Sequence, residues 1–109
     1  MIDISDRFKG YTFRFDWTDP ENHESDDEAV EVILRTLAGQ EYSANFTTRN
    51  FLDYLFEKNR RTGECASGTY FAMPSMILVE RIDDTVIKET IDDMINNKEI
   101  EEYFKPVIR

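Results

Sequence analysis

The chain holds one cysteine, Cys65, and one histidine, His23. A thiol and an imidazole are the side chains best suited to act as nucleophile and base near neutral pH. The reactive species is the thiolate, which needs a base in hydrogen-bond reach or a positive local field. Cys65 lies in RRTGECASGTYFAMPSMILVE, with Arg60 and Arg61 upstream and Glu64 adjoining it. His23 lies in DPENHESDDE, residues 19–28, where six of ten residues are acidic. Carboxylates around an imidazole favour its protonated form, which cannot accept a proton. The two residues are therefore a poor pair, and Cys65 is expected to be a loop thiol. No catalytic residue is assigned, and the chain is expected not to be an enzyme.

Clustered carboxylates suggest metal or acid–base chemistry next. A calcium loop needs oxygen ligands at alternating positions and a glycine at its sharp turn. The acids of residues 19–28 supply oxygens, but no glycine falls between residues 11 and 38. His23 without a cysteine or second histidine nearby is a poor zinc set. No metal and no cofactor are expected. The pairs Asp26-Asp27, Asp83-Asp84 and Asp92-Asp93 do not by themselves make dyads, because adjacent helical residues point about 100° apart. Glycine-rich phosphate loops, GxSxG and HExxH are all missing from the sequence.

What remains is charge. The formal net charge is −10, with 13 basic and 23 acidic residues. Residues 1–31 carry −7, residues 32–82 carry +1 and residues 83–109 carry −4. Such a field repels phosphate backbones and anionic membranes and attracts basic partners. Direct nucleic-acid binding and membrane binding are not expected, and no apolar run approaches the roughly 20 residues of a span. The first ten residues lack a signal-peptide pattern and one cysteine makes no internal disulfide, so the expected compartment is the cytoplasm.

These side chains need elements to hold them. With 109 residues the chain is expected to form one domain, 1–109. YTFRFDWT, residues 11–18, alternates with period two, placing Tyr11, Phe13, Phe15 and Trp17 on one face of a strand. Asp19-Pro20 ends it. Residues 30–35 and 42–46 alternate around Ala38-Gly39-Gln40 and read as a hairpin. Thr47 or Thr48 caps a helix from Arg49 to Arg60 or Arg61, whose stripe is Phe51, Leu52, Leu55 and Phe56; Gly63 stops it. Residues 69–81 read as a strand interrupted by Pro74. Its apolar MILV run predicts burial on both faces. Asp83 or Asp84 caps a helix over 85–97 with Ile87, Ile91, Met94 and Ile95 inward. A short helix over 99–104 is expected to bury Ile100, Tyr103 and Phe104. The order β-β-β-α-β-α-α predicts an α+β fold: a mainly antiparallel sheet of about four strands with two to three helices packed on it.

The segment FLDYLFEKNRRTGECASGTYFAMPSMILVERI, residues 51–82, together with the size and acidity of the chain, resembles small acidic bacterial immunity proteins of polymorphic or contact-dependent toxin systems. The resemblance carries no named motif and assigns no residue. It implies a cytoplasmic inhibitor that binds one cognate basic toxin domain, for which a nuclease is one expected chemistry. An acidic face would occlude the toxin's cleft, with carboxylates standing where substrate phosphates go. From the charge pattern, the partner-binding residues expected are Glu21, Glu24, Asp26, Asp27, Asp92 and Asp93. Two other readings stand beside it: an acidic DNA mimic or regulatory binding protein, and a small enzyme dependent on Cys65.

Overall fold

A computed structural model describes residues 4–15 and 29–108. Five strands, β1 (Thr12–Phe15), β2 (Val30–Arg35), β3 (Glu41–Thr47), β4 (Met76–Leu78) and β5 (Lys105–Pro106), form one sheet. The helices are α1 (Ile4–Arg7), α2 (Arg49–Thr62), α3 (Glu64–Gly68), α4 (Asp84–Asn96) and α5 (Ile100–Tyr103). The fold is α+β, as the order of periodic segments predicts. The short elements α1 and β5 are too brief to show a period, and they join the expected set.

Strands β1, β2 and β3 run antiparallel in sequence order, with Phe13 opposite Leu34 and Val32 opposite Ala44. The turn between β2 and β3 closes through Thr36: its N–H donates to the Gln40 carbonyl and its carbonyl accepts from Gly39 N–H, both at 2.9 Å. The far edge of β3 is shared. Strand β4 pairs parallel to residues 45–47, and β5 pairs antiparallel to residues 42 and 43.

Alternation fixes the core. Val30, Val32 and Leu34 on β2, and Tyr42, Ala44 and Phe46 on β3, are buried. Ile87, Ile91 and Ile95 of α4, at helical spacing of four, pack into the same cluster, as do Phe8, Ile100 and Phe104. Phe46 and Phe104 meet edge to face at 6.0 Å. Burying one such isoleucine is worth about 2 kcal/mol, so the sheet and α4 are held mainly by this seam.

Helix signals in the sequence hold. Thr48 Oγ1 accepts from Phe51 N–H at 3.2 Å and Asp83 Oδ1 accepts from Val86 N–H at 2.8 Å, capping α2 and α4. Gly63, at φ +85°, ends α2 in the left-handed conformation with its N–H on the Asn59 carbonyl.

Three expectations need correction. The strand expected over 69–81 is only Met76–Leu78. Cys65, Ala66 and Ser67 have φ of 50°, 52° and 58°, so α3 is a single left-handed turn. Ser75 is also left-handed, at φ 49°, directly before β4. These residues turn the chain where a strand would extend it. Secondly, the MILV run is not covered on both faces. Ile77 and Val79 are buried, but Met76 and Leu78 are 38% and 53% exposed. Among the described residues strand β4 pairs on one side only, with β3, and the apolar run reflects an edge strand rather than a central one. Thirdly, Tyr103 stays 41% exposed while Ile100 and Phe104 enter the core. The last residues expected in the first strand, Asp16, Trp17 and Thr18, lie outside the described residues.

The stripe of α2 also departs from expectation. Phe51, Leu52, Leu55 and Phe56 are only half-buried, and none belongs to the core or to the apolar rim packed on it. The Cα radius of gyration is 15.4 Å, with principal extents of 52 × 28 × 27 Å. A compact chain of this length has a radius of about 13 Å. The molecule is correspondingly elongated.

Candidate functional site

The expected partner-binding residues divide into two groups. Glu21, Glu24, Asp26 and Asp27, with His23, lie outside the described residues. Asp92 and Asp93 lie on α4, and the two have different surroundings.

Asp92 makes its hydrogen bonds within the chain, with its side chain 44% exposed. Tyr11, just before β1, donates its phenolic O–H to Asp92 Oδ1 at 2.6 Å. Lys88, one turn earlier on α4, donates Nζ–H to Asp92 Oδ2 at 2.9 Å. The Lys88 ammonium also lies 5.3 Å from the centroid of the Tyr11 ring, a cation–π contact. The Tyr11 hydrogen bond, and secondarily Lys88, hold the Asp92 carboxyl below the usual carboxylate range. Burial, followed by the hydrogen bond to Asp92, pushes the Tyr11 hydroxyl well above its ordinary value. Tyrosine stays protonated and aspartate ionised, so the bond is charge-assisted. Together the three side chains clamp α4 to the entry of β1. They border a depression of about 580 Å³ that Phe8 and Lys9 also line.

Asp93 points elsewhere. It is exposed, and its Oδ2 accepts from Asn97 Nδ2 at 3.2 Å. Glu89, one turn before it on the same helix face, is also exposed. Neither makes an ion pair among the described residues. Like charges at this i, i+4 spacing repel, costing roughly 0.2–0.5 kcal/mol. Asp93 also stands in the last turn of α4, which contains no basic residue. There the negative end of the helix dipole disfavours a carboxylate. The exposed face of α4 thus carries anionic charge against its own helix's preference. Exposed Glu102 on α5 extends the acidic character of this part of the chain.

The N-terminal end of α4 is ordinary by contrast. Asp83 caps it, and its pKa falls below the usual range because it accepts from Val86 N–H and from Arg81. Arg81 Nε reaches Asp83 at 2.7 Å. On the open face of the sheet, Arg14 pairs with Glu41 at 2.9 Å beside a depression of about 680 Å³ that Arg35 also lines.

Cys65 is half-buried and forms no disulfide. It stands in the left-handed turn, with no histidine among the described residues. No group of three or more His, Cys, Asp or Glu side chains among those residues is arranged to hold a metal ion. No helix among them is long and apolar enough to cross a membrane.

Two participants escape the sequence reading. The period of YTFRFDWT places Tyr11 on the core face of a strand, and nothing local to it announces a partner 81 positions away. Glu89 falls on the outer face of its helix, and its spacing of four from Asp93 is a signal readable in the sequence. Comparison with known protein families, with characterised proteins and with solved structures finds no match to this chain.

Proposed function

We propose that the chain is an immunity-type inhibitor, a binding protein that neutralises one cognate basic toxin domain by laying an acidic surface over its working cleft. The observation that carries this reading is the Glu89–Asp93 pair on the exposed face of α4, which makes no ion pair among the described residues. Mutual repulsion opposes these two carboxylates in the free protein, and the helix dipole opposes Asp93 further. A docked lysine or arginine would relieve both effects at once. Lysine at either position would remove the repulsion, which Arg81 offsets in part at Glu89.

Asp92 positions α4 through Tyr11 and, with its side chain 44% exposed, stays open to the partner beside Asp93. Glu21, Glu24, Asp26 and Asp27 belong to the proposal on their sequence alone. The net charge of −10 steers a basic partner toward the molecule before contact.

The test is protection in cells. The chain is co-expressed with any neighbouring reading frame whose product arrests growth, and recovery of growth is measured. The double variant Glu89→Gln/Asp93→Lys should lose protection while melting at the same temperature as the native chain or a few degrees higher. Protection by the variant equal to that of the native chain would overturn the assignment of this face. A native chain that does not protect would overturn the reading itself.

A further inference from the structure

Three charged side chains stand together on the face of the sheet turned away from the core. Phe13, Leu34 and Tyr42 belong to the core side, so by alternation Arg14 of β1, Arg35 of β2 and Glu41 of β3 lie on the other. The register sets Arg35 directly opposite Glu41, while Arg14, opposite Ile33, is the diagonal neighbour of Arg35. Opposite charges facing each other across two strands stabilise a sheet by pairing. Here they do not pair. Glu41 accepts instead from Arg14, two strands away, at 2.9 Å, and only 12% of the Glu41 side chain is exposed. Arg35 is exposed and makes no ion pair among the described residues. Its Nη2 lies over the turn between β2 and β3, 3.7 Å from where a Cβ on Gly39 would stand.

Both arginines border the depression of about 680 Å³, whose one acidic lining residue is the engaged Glu41. Pro106 and Val107 give it an apolar side. The local balance is two guanidinium groups against one carboxylate, a net +1 on a chain whose total is −10.

We propose that this depression binds a small organic monocarboxylate. The Arg35 guanidinium holds the carboxylate, Arg14 adds a second positive charge, and the body of the ligand lies against Pro106 and Val107. The inference is independent of the acidic face of α4, which packs on the core side of the sheet. Three features select this class of ligand. The planar fork of arginine matches the two oxygens of a carboxylate, and a bond between two charged groups is stronger than a neutral one. A local charge of +1 is balanced by one negative charge, whereas a phosphate dianion would set its second charge beside Glu41. The volume falls within the roughly 300–1,000 Å³ of small-molecule sites. Binding also breaks no ion pair of Arg35 among the described residues. The charge of the whole chain opposes an arriving anion, which keeps the expected affinity modest.

Sodium benzoate, titrated at constant ionic strength into the ¹⁵N-labelled full chain, tests this through amide chemical shifts. The expected result is saturable shifts at Gly39, Gln40 and Val107 with one dissociation constant on the order of 1–10 mM, ordinary for so small a probe. Benzamide, alike in shape but uncharged, should bind at least about fivefold more weakly. Arg35→Gln should weaken benzoate at least about fivefold and leave the melting temperature within about two degrees, because it alters an exposed side chain without an ion pair. Arg49→Gln removes an exposed positive charge from α2 and should leave the affinity within about 1.5-fold. Shifts that do not saturate would overturn the proposal, as would benzamide binding equal to that of benzoate. Equal weakening by Arg49→Gln and Arg35→Gln would overturn it too, by reducing the effect to general charge. Phenyl phosphate binding several-fold more tightly than benzoate would overturn the assignment to a monocarboxylate.

Discussion

Asp92 and Asp93 are neighbours in sequence and occupy different physical situations. One closes a hydrogen-bonded cluster with Tyr11 and Lys88; the other faces solvent beside Glu89. The cluster gives a pH signature whose sign follows from the shifts. Asp92 has a lowered folded pKa, so its contribution is present above the unfolded carboxylate value, near 4, and is lost as pH falls through the folded value. Tyr11 has a raised folded pKa, so its contribution is present below the unfolded value, near 10, and is lost progressively as pH rises above it. Between these limits the bond is intact. Tyr11→Phe should therefore cost about 1 kcal/mol at pH 7, the part-exposed location keeping it at the low end for a bond to a charged group. Urea unfolding at pH 3, 7 and 11 checks this. The stability gap between the native chain and the Tyr11→Phe variant should narrow at both extremes, and a constant gap would show that Tyr11 acts only by packing.

Elements differ in how far local chemistry commits them. Helix α4 has a cap, an apolar seam at spacing four and an outward acidic face, and each agrees with the others. Such agreement makes its boundaries readable within about one residue. The stretch after α2 lacks this agreement. GECASG contains no pattern that announces three successive residues with positive φ, and L-residues normally avoid that conformation at about 1–2 kcal/mol each. The turn is held from outside, by the close packing of Gly68 on the Phe56 carbonyl and on Arg60. Ala66 is exposed in this turn. Ala66→Gly should relieve the strain and raise stability by about 0.5–1 kcal/mol, after the larger entropy of glycine in the unfolded chain is subtracted. A thermal melt that moves downward would show that Ala66 makes a contact outweighing its backbone strain.

The whole molecule carries its charge unevenly, −10 in total but +1 over residues 32–82. The proposed docking of a basic partner at α4 rests on charge, so its association rate should fall about tenfold or more between 20 and 500 mM NaCl. Stopped-flow association over a salt series reads this trend, and a rate indifferent to salt would place the contacts away from the acidic face.

The sequence by itself determined the fold class, the hairpin and the inward faces of β2, β3 and α4, and it narrowed each helix cap to two adjacent residues. Those features depend on periodicity and on hydrogen bonds spanning three or four residues, which the chain writes locally. It also displayed the acidic bias. Only the tertiary structure decided which carboxylates are already satisfied, because Tyr11 and Asp92 lie 81 positions apart and meet through packing. Only the tertiary structure showed that β4 is an edge strand among the described residues and that Met76 and Leu78 of MILV face outward. And the α2 stripe, which reads as core at spacings of one, three and four, stays only partly buried and outside the cluster that Phe8, α4 and α5 complete. Amphipathic spacing specifies that a face is apolar; what covers it depends on where the rest of the chain has gone.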